Sequence, residues 1–237
     1  MKEFLTIREI EFDSIDIQSH PTGMQQLADL GAKTVPVVAK GNDWVFAQSL
    51  GDVADLLEME FDAKPKLSPD ELIDRMELVM ATASRLVRQF PNSLLDKNVR
   101  DRDRTYRTLF SHIFRIPEVF LDVTIVANEV VSYDGLKHPN PNQYATMDEI
   151  ADYGESVRKR VENWRKDAKN LDFNKMVEVY WGKIPLHQVL ERMTWHPAQH
   201  TRQLALLLED DFNIRPDRPL GEKELNGLPV PERAWDD

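Results

Sequence analysis

The sequence predicts an α+β protein, with a small mixed α/β unit over residues 1–59 and an all-α four-helix bundle over residues 68–212. Three observations predict this division. Short helical and β-branched segments alternate in the first part, whereas four long amphipathic segments make up the second. A charged, proline-containing stretch at 60–67 predicts a linker. Residues 213–237 are rich in proline and charge, which predicts an irregular C-terminal tail.

The first part is predicted to contain short helices and strands in turn. Alternation of apolar and polar residues, β-branched runs and turn residues separate the strands from the helical patterns. Either Ser49 or Asp52 can cap the last helix. In chain order the predicted elements are a helix over 1–9, a strand over 11–17, a helix over 21–30, strands over 34–39 and 44–47, and a helix from residue 49.

The four long helices of the second part are predicted from apolar residues at three- and four-residue spacing. Ser68, Pro69 and Glu71 form a helix start, with a cap, a first-turn proline and a capping-box carboxylate. Thr146 with Glu149 repeats the capping pattern. The predicted helices cover 68–90, about 102–127 with a kink at Pro117, about 146–169 and about 185–210, with a long loop at 130–145 and an extended piece at 176–181.

The composition restricts the classes of function. The chain has 237 residues, 41% of them hydrophobic, which is enough for packed cores. A net charge of −11 without a basic tract argues against binding nucleic acid. No apolar run reaches transmembrane length and the first residues lack a signal-type stretch, so we expect a soluble cytoplasmic protein. The absence of cysteine excludes disulfides, thiolate ligands and cysteine nucleophiles from these residues.

Two histidines one helical turn apart, His196 and His200, are the most informative feature of the chain. Residues at i and i+4 share a helix face, so both rings can approach one point. Neutral imidazole is the commonest protein metal ligand, and three imidazoles leave an open coordination position. His112, in an apolar helical segment far upstream, is the candidate third ligand. The sequence therefore predicts a metal site on a helical scaffold.

The other three histidines are predicted to lie outside this site. His20 and His138 each precede a proline in a predicted loop, so we expect both to be exposed to solvent. His187 lies nine residues before His196, half a turn out of phase on the same helix, and should have a structural role.

Residues 68 to about 212 resemble the DinB/YfiT-like superfamily of four-helix metalloproteins. In that family one histidine comes from the second helix and two come from an H-x-x-x-H element on the fourth. The matching positions are His112, His196 and His200. The resemblance implies a divalent ion such as zinc or nickel, and an activity like those of the thiol-dependent isomerases and S-transferases of the family.

The first part is similar to a glutaredoxin. Thr34, Val35 and Pro36 match the T-V-P element whose cis proline borders the glutathione site, and Asp52 matches a contact to the γ-glutamyl end. The resemblance thus implies glutathione binding by these four residues. The first strand and the C-x-x-C motif of a glutaredoxin would precede Met1. Either the chain starts earlier, or the unit has lost dithiol exchange and keeps a binding or packing role.

Three hypotheses for the function remain open. The first is a metal-dependent S-transferase or isomerase that uses glutathione or another small thiol. In it Gln203, on the same helix face as His196, is a candidate catalytic residue that bonds substrate or water on the metal. The second is a hydrolase that uses metal-bound water, for which Glu118 and Glu191 are candidate bases. The third is a non-enzymatic, stress-associated metal- or ligand-binding protein, and the wide apolar stripes also allow a homodimer.

Overall fold

The computed structural model describes residues 1–6, 8–17, 19–62, 64–100, 102–231 and 233–235. It combines helices with two small antiparallel sheets, in agreement with the predicted α+β class. The chain divides into two compact units, residues 1–64 and 65–237. The division falls within the predicted linker, whose Ala63 is outside the described residues, as are Glu232, Asp236 and Asp237 of the predicted tail. Every described helix is too short or too polar to cross a membrane.

The described residues of the first unit form three short helices and one β-hairpin. In chain order these are α1 (Lys2–Thr6), α2 (Gly23–Asp29), β1 (Val37–Lys40), β2 (Asp43–Phe46) and α3 (Leu50–Leu56). The hairpin pairs Val37 with Phe46 and Lys40 with Asp43. Gly41, at a φ of 65°, takes the left-handed conformation that this tight turn requires.

A small core joins the helices of the first unit. Val53 and Ala54 of α3 pack in it with Phe4 and Leu5 of α1. The ring centres of Phe61 and Phe4 are 5.3 Å apart in an edge-to-face arrangement. The first residues of the predicted linker therefore belong to the packing of this unit.

The predicted strand over 11–17 is wrong. These residues form no ladder with any described segment, and Phe12 and Ile15 are 39% and 41% exposed. Alternating polarity makes a strand only where a neighbouring strand supplies hydrogen bonds, and the one described sheet of this unit is a two-stranded hairpin formed elsewhere.

The second unit is built on four long helices. They are α4 (Pro69–Val87), α5 (Tyr106–Val119), α6 (Met147–Ala168) and α7 (Leu186–Leu206), followed in the tail by the short α8 (Glu222–Leu225). Both α4 and α5 pack against α6 and α7. The core between them contains aromatic and aliphatic side chains with no exposed surface, among them Phe110, Phe114, Phe120, Leu72, Ile73 and Met76.

Local signals explain where these helices begin. Ser68 and Glu71 form both bonds of the predicted capping box at the start of α4. The Thr146 side chain accepts a hydrogen bond from the Glu149 backbone at the start of α6. Helix α5 continues through Pro117, which has no N–H group, and passes at Phe120 into π-helical turns up to Ala127.

A second hairpin lies between α6 and α7, so the prediction of an all-α second part is wrong. Strands β3 (Met176–Val179) and β4 (Gly182–Pro185) pair antiparallel across a tight turn. Gly182 has a φ of 144°, outside the range that side chains usually permit. The predicted extended piece at 176–181 corresponds to the first of these strands and its turn.

Candidate metal centre

Three histidine side chains meet between helices α5 and α7. His112 comes from α5, and His196 and His200 come from successive turns of α7. One ligand nitrogen from each ring lies within 4.8 Å of the others. The ring centres are 5.4 Å apart for each pair that includes His112 and 4.9 Å apart for the pair on α7. The prediction that these three histidines lie close together is therefore confirmed.

Hydrogen bonds set the tautomers of two of the rings. His112 Nδ1 lies 2.9 Å from the backbone oxygen of Leu136, and His200 Nδ1 lies 2.7 Å from Oε1 of Gln203. Both partners accept, so each Nδ1 carries the hydrogen and donates it. The Nε2 atoms of His112 and His200 therefore keep their lone pairs for a ligand. This is the arrangement in which an outer hydrogen bond orients a metal-binding imidazole.

The rings are neutral at physiological pH. Burial is the main cause that lowers the pKa of each histidine, followed by the positive charge of neighbours. For His200 the pKa falls to about 3. Each of the three residues is half-buried when its whole surface is counted. Neutral imidazole is the form that coordinates metals.

The donor set fits a divalent ion. Tetrahedral coordination with Zn–N bonds of about 2.05 Å needs ligand nitrogens about 3.4 Å apart. The three ligand nitrogens lie within 4.8 Å of one another, and small side-chain rotations would bring them to the spacing that zinc needs. Three neutral nitrogens with an open position suit zinc, nickel and related ions, whereas a calcium or magnesium site would need oxygen ligands.

Gln203 is held in place by the C-terminal tail. Its Nε2 donates to the backbone oxygen of Ala234 at 2.7 Å, which leaves Oε1 facing His200. Gln199, one turn earlier, donates to the same oxygen at 2.9 Å. The predicted catalytic residue Gln203 is therefore placed to orient a ligand ring. Its amide contacts the outer nitrogen of His200 and not the side of the ring that faces the other histidines.

We expect the variant Gln203→Leu to bind zinc about 10- to 100-fold more weakly than the wild type, because His200 loses the acceptor that sets its tautomer. Competition with a chromophoric zinc chelator measures the change. Gln199→Leu is the matched control, since it removes a bond to the same Ala234 oxygen without touching a histidine. Equal losses in both variants would show that the tail contact, and not the ring contact, matters.

The predicted glutathione-binding residues lie in the first unit. The peptide bond between Val35 and Pro36 is cis, and the Pro36 oxygen accepts from the Ala47 backbone at 3.0 Å. The Ser49 side chain caps α3 by accepting from the Asp52 backbone. Burial raises the pKa of the Asp52 carboxyl. Thr34, Val35 and Pro36 thus lead into strand β1. Pro36 lies next to the end of strand β2, which is followed by α3.

Two of the other histidines are placed as predicted and one is not. His20 is exposed, and His187 Nε2 lies 2.8 Å from the Leu67 oxygen in a structural contact. His138 is half-buried, and its Nε2 lies 3.0 Å from the hydroxyl oxygen of Tyr144. Its predicted solvent exposure is wrong, because the loop folds back onto aromatic side chains that a local pattern does not reveal, Tyr144 among them and Tyr153 at a ring distance of 5.3 Å.

The charged groups around the three histidines are arginines, which the sequence prediction missed. Arg104 acts on all three rings, Arg192 on two of them and Arg102 on one. Arg192 is buried and Arg104 is half-buried, and burial lowers the pKa of each guanidinium. No short motif contains these residues, since they come from the turn before α5 and from α7.

Two surface clefts lie apart from the histidines. One, of about 260 Å³, is lined by Thr124, by residues 128–130, by Lys175 and by the hairpin between α6 and α7. The other, of about 540 Å³, lies between α7 and the tail, with Arg202 and Trp235 among its lining residues. Neither cleft is lined by a histidine, so the candidate metal centre is defined by the three converging ring nitrogens.

Comparisons with protein-family models, with curated proteins and with solved structures find no match to this chain. The resemblance to DinB-like proteins stays a prediction from the sequence.

Proposed function

We propose that this chain is a DinB-like, divalent-metal-dependent protein that acts as a glutathione- or other thiol-dependent S-transferase or isomerase. One observation carries the proposal: three neutral histidines from two helices bring their ligand nitrogens within 4.8 Å. Two of the rings also have outer hydrogen bonds that direct Nε2 toward a shared ligand. This is more organisation than a chance cluster of core histidines requires.

The composition supports a thiol that comes from a small molecule. A divalent ion bound at three imidazoles lowers the pKa of a thiol that coordinates it. The chain itself contains no cysteine, so it supplies neither a competing thiolate ligand nor a protein nucleophile. The histidines would hold the ion, preferably zinc or nickel, and the surrounding guanidinium groups would favour an anionic thiolate.

The first unit supports a role in binding glutathione. We propose that it is an incomplete thioredoxin-like unit in which Thr34, Val35, Pro36 and Asp52 keep the glutathione contacts of a glutaredoxin. Strand β1 begins directly after Pro36, and the cap of α3 brings the Asp52 backbone to the end of strand β2. Dithiol exchange is not part of the proposal, because these residues include no thiol.

A hydrolase is the weaker alternative, because the predicted bases are engaged elsewhere. Glu118 accepts hydrogen bonds from Arg115 and Tyr153. Glu191 has a pKa raised to about 7 by burial, a useful value for a base, but its neighbour is Lys66. It also lies five residues before His196, about 140° around the helix. Neither carboxylate is among the groups that shift the pKa of the three histidines.

The test combines metal loading with thiol dependence. Protein loaded with zinc or nickel is expected to add glutathione to an electrophile such as a chlorodinitrobenzene, or to isomerise a cis-enone acid, and to lose this activity in His196→Ala. Ester and amide substrates without thiol are run in parallel. Thiol-independent hydrolysis would favour the hydrolase. Stoichiometric metal with no glutathione binding by calorimetry and no turnover would favour the non-enzymatic binding protein.

A further inference from the structure

Helix α7 holds residues 233–235 through two glutamines on one of its faces. Gln199 and Gln203 are four residues apart, so their side chains project from the same side of the helix. Gln199 Nε2 donates to the backbone oxygens of Arg233 and Ala234, at 3.1 Å and 2.9 Å. Gln203 Nε2 donates to the same Ala234 oxygen at 2.7 Å. The helix that carries two of the three histidines therefore also fixes this segment of the tail.

Trp235 anchors the same segment by packing. Ala234 and Trp235 are 6% and 9% exposed, so both are buried against the second unit. Arg100 and Arg102 each place a guanidinium carbon 4.9 Å from the centre of the Trp235 ring. Arg100 also pairs with Asp211 at 2.9 Å, in the π-helical turns that follow α7. Removing the indole ring is therefore expected to release the segment from the helix.

A continuous path of hydrogen bonds leads from this segment to the candidate metal centre. Because Gln203 Nε2 donates to the Ala234 oxygen, Oε1 of the same amide faces His200 and accepts from its Nδ1 at 2.7 Å. This second bond orients the ring and leaves His200 Nε2 available to a ligand. When the Ala234 oxygen moves away, nothing in this path fixes the orientation of the amide, and His200 loses a fixed partner.

We propose that docking of residues 233–235 on α7 and binding of a divalent ion at the three histidines are coupled through Gln203. The docked segment favours the orientation of His200 in which Nε2 can coordinate the ion. Coupling between two equilibria is reciprocal, so the ion strengthens docking by the same factor by which docking strengthens metal binding. The coupling requires the metal centre of the proposed function but none of its thiol chemistry. It gives the tail a role in retaining the ion.

Trypsin cleavage after Arg233 measures docking. The residue is exposed, but its backbone oxygen is bonded to Gln199, so cleavage requires the segment to leave the helix. The cleavage rate follows the population of the undocked form when docking is faster than cleavage. We expect saturating zinc to slow cleavage of the wild type by about 10-fold, the low end of the affinity effect of an outer ligand partner. Mass spectrometry follows the shortened chain, and a synthetic peptide with the sequence of 228–237 controls for effects of zinc on trypsin.

The two glutamines supply a matched pair of variants. In Gln203→Leu the path to His200 is broken, so saturating zinc should leave the cleavage rate unchanged, a ratio near 1. In Gln199→Leu the segment is held more weakly and should be cleaved faster. Zinc should still slow that cleavage by about 10-fold, because Gln203 keeps its bonds to His200 and Ala234.

The reverse effect is measured on metal affinity. Trp235→Ala should weaken zinc binding by about 10-fold in competition with a chromophoric chelator, because the segment no longer stays docked. Trp235→Phe keeps an aromatic ring beside the two arginines and should recover most of the affinity. In the Gln203→Leu background, Trp235→Ala should have no further effect on zinc affinity. A loss that persists in that background would mean that Trp235 acts through general stability, against the coupling.

The outcomes separate the coupling from the proposed function. A wild type that binds zinc without slower cleavage, or equal protection by zinc in Gln203→Leu, overturns the coupling and leaves the metal centre standing. A wild type that binds no zinc overturns the metal centre, and the coupling and the proposed function with it. If Trp235→Ala does not fold, the cleavage ratios of the two glutamine variants decide, since neither variant removes a buried ring.

Discussion

Replacing His196 with alanine is expected to lower zinc affinity by about 100-fold or more. Loss of an outer hydrogen-bond partner alone costs 10- to 100-fold in affinity, so loss of a ligand should cost at least the upper value. The two remaining rings, His112 and His200, come from different helices with centres 5.4 Å apart and offer only half of a tetrahedral set. Elemental analysis after dialysis should find one zinc per wild-type chain and almost none in the variant.

His187→Ala is the matched control for this experiment. It lies on the same helix, but its ring bonds the Leu67 oxygen at 2.8 Å, so its loss should reduce stability by about 1 kcal/mol and leave the zinc content unchanged. Zinc at 100 times its dissociation constant should raise the free energy of unfolding of the wild type by about 2.7 kcal/mol and have little effect on His196→Ala. Equal zinc binding by both variants would contradict the three-histidine site.

The clustering of the three histidines could be predicted from the sequence, but their hydrogen-bond partners could not. The spacing of His196 and His200 is a helix-face signal, and His112 follows from an apolar segment and the family resemblance. The partners of two rings are the backbone oxygen of Leu136 and an amide that the tail holds through Ala234. Every residue has a backbone oxygen, so no residue type marks the one that will accept from a histidine.

The fold follows the same division between local and distant causes. The starts of α4 and α6 were predictable, because Ser68 and Thr146 act on backbone groups three residues away. The false strand over 11–17 and the missed effect of Arg104 on the pKa of the histidines both depend on what the rest of the chain brings nearby. Periodicity reports the face that a segment can bury, and it does not report the partner that covers it.

Gly154 tests how closely α5 and α6 must approach each other. An ideal Cβ on Gly154 would lie 2.6 Å from Cδ1 of Phe114, far inside van der Waals contact. Phe114 has no exposed surface, so its ring has little room to move. It also follows His112 by two residues on α5, and the approach of the two helices therefore bears on the candidate metal centre.

Two opposing effects decide the result of Gly154→Ala. Helix propensity favours alanine by about 0.5–1 kcal/mol, whereas overpacking a rigid core costs about 1–3 kcal/mol. Because the overlap involves three atoms of a buried ring, we expect the overlap to win and the free energy of unfolding to fall by about 1–2 kcal/mol in urea titrations.

A double-mutant cycle shows whether the ring is the cause. Phe114→Leu alone should destabilise the protein by removing ring contacts, but in its presence Gly154→Ala should cost less or become favourable, since the smaller side chain vacates the overlapping volume. The coupling free energy should then be about 1 kcal/mol or more in favour of the double variant. A stability gain from Gly154→Ala in the wild-type background, with no coupling to Phe114, would mean that α6 shifts readily and that the close contact does not set the spacing of the helices.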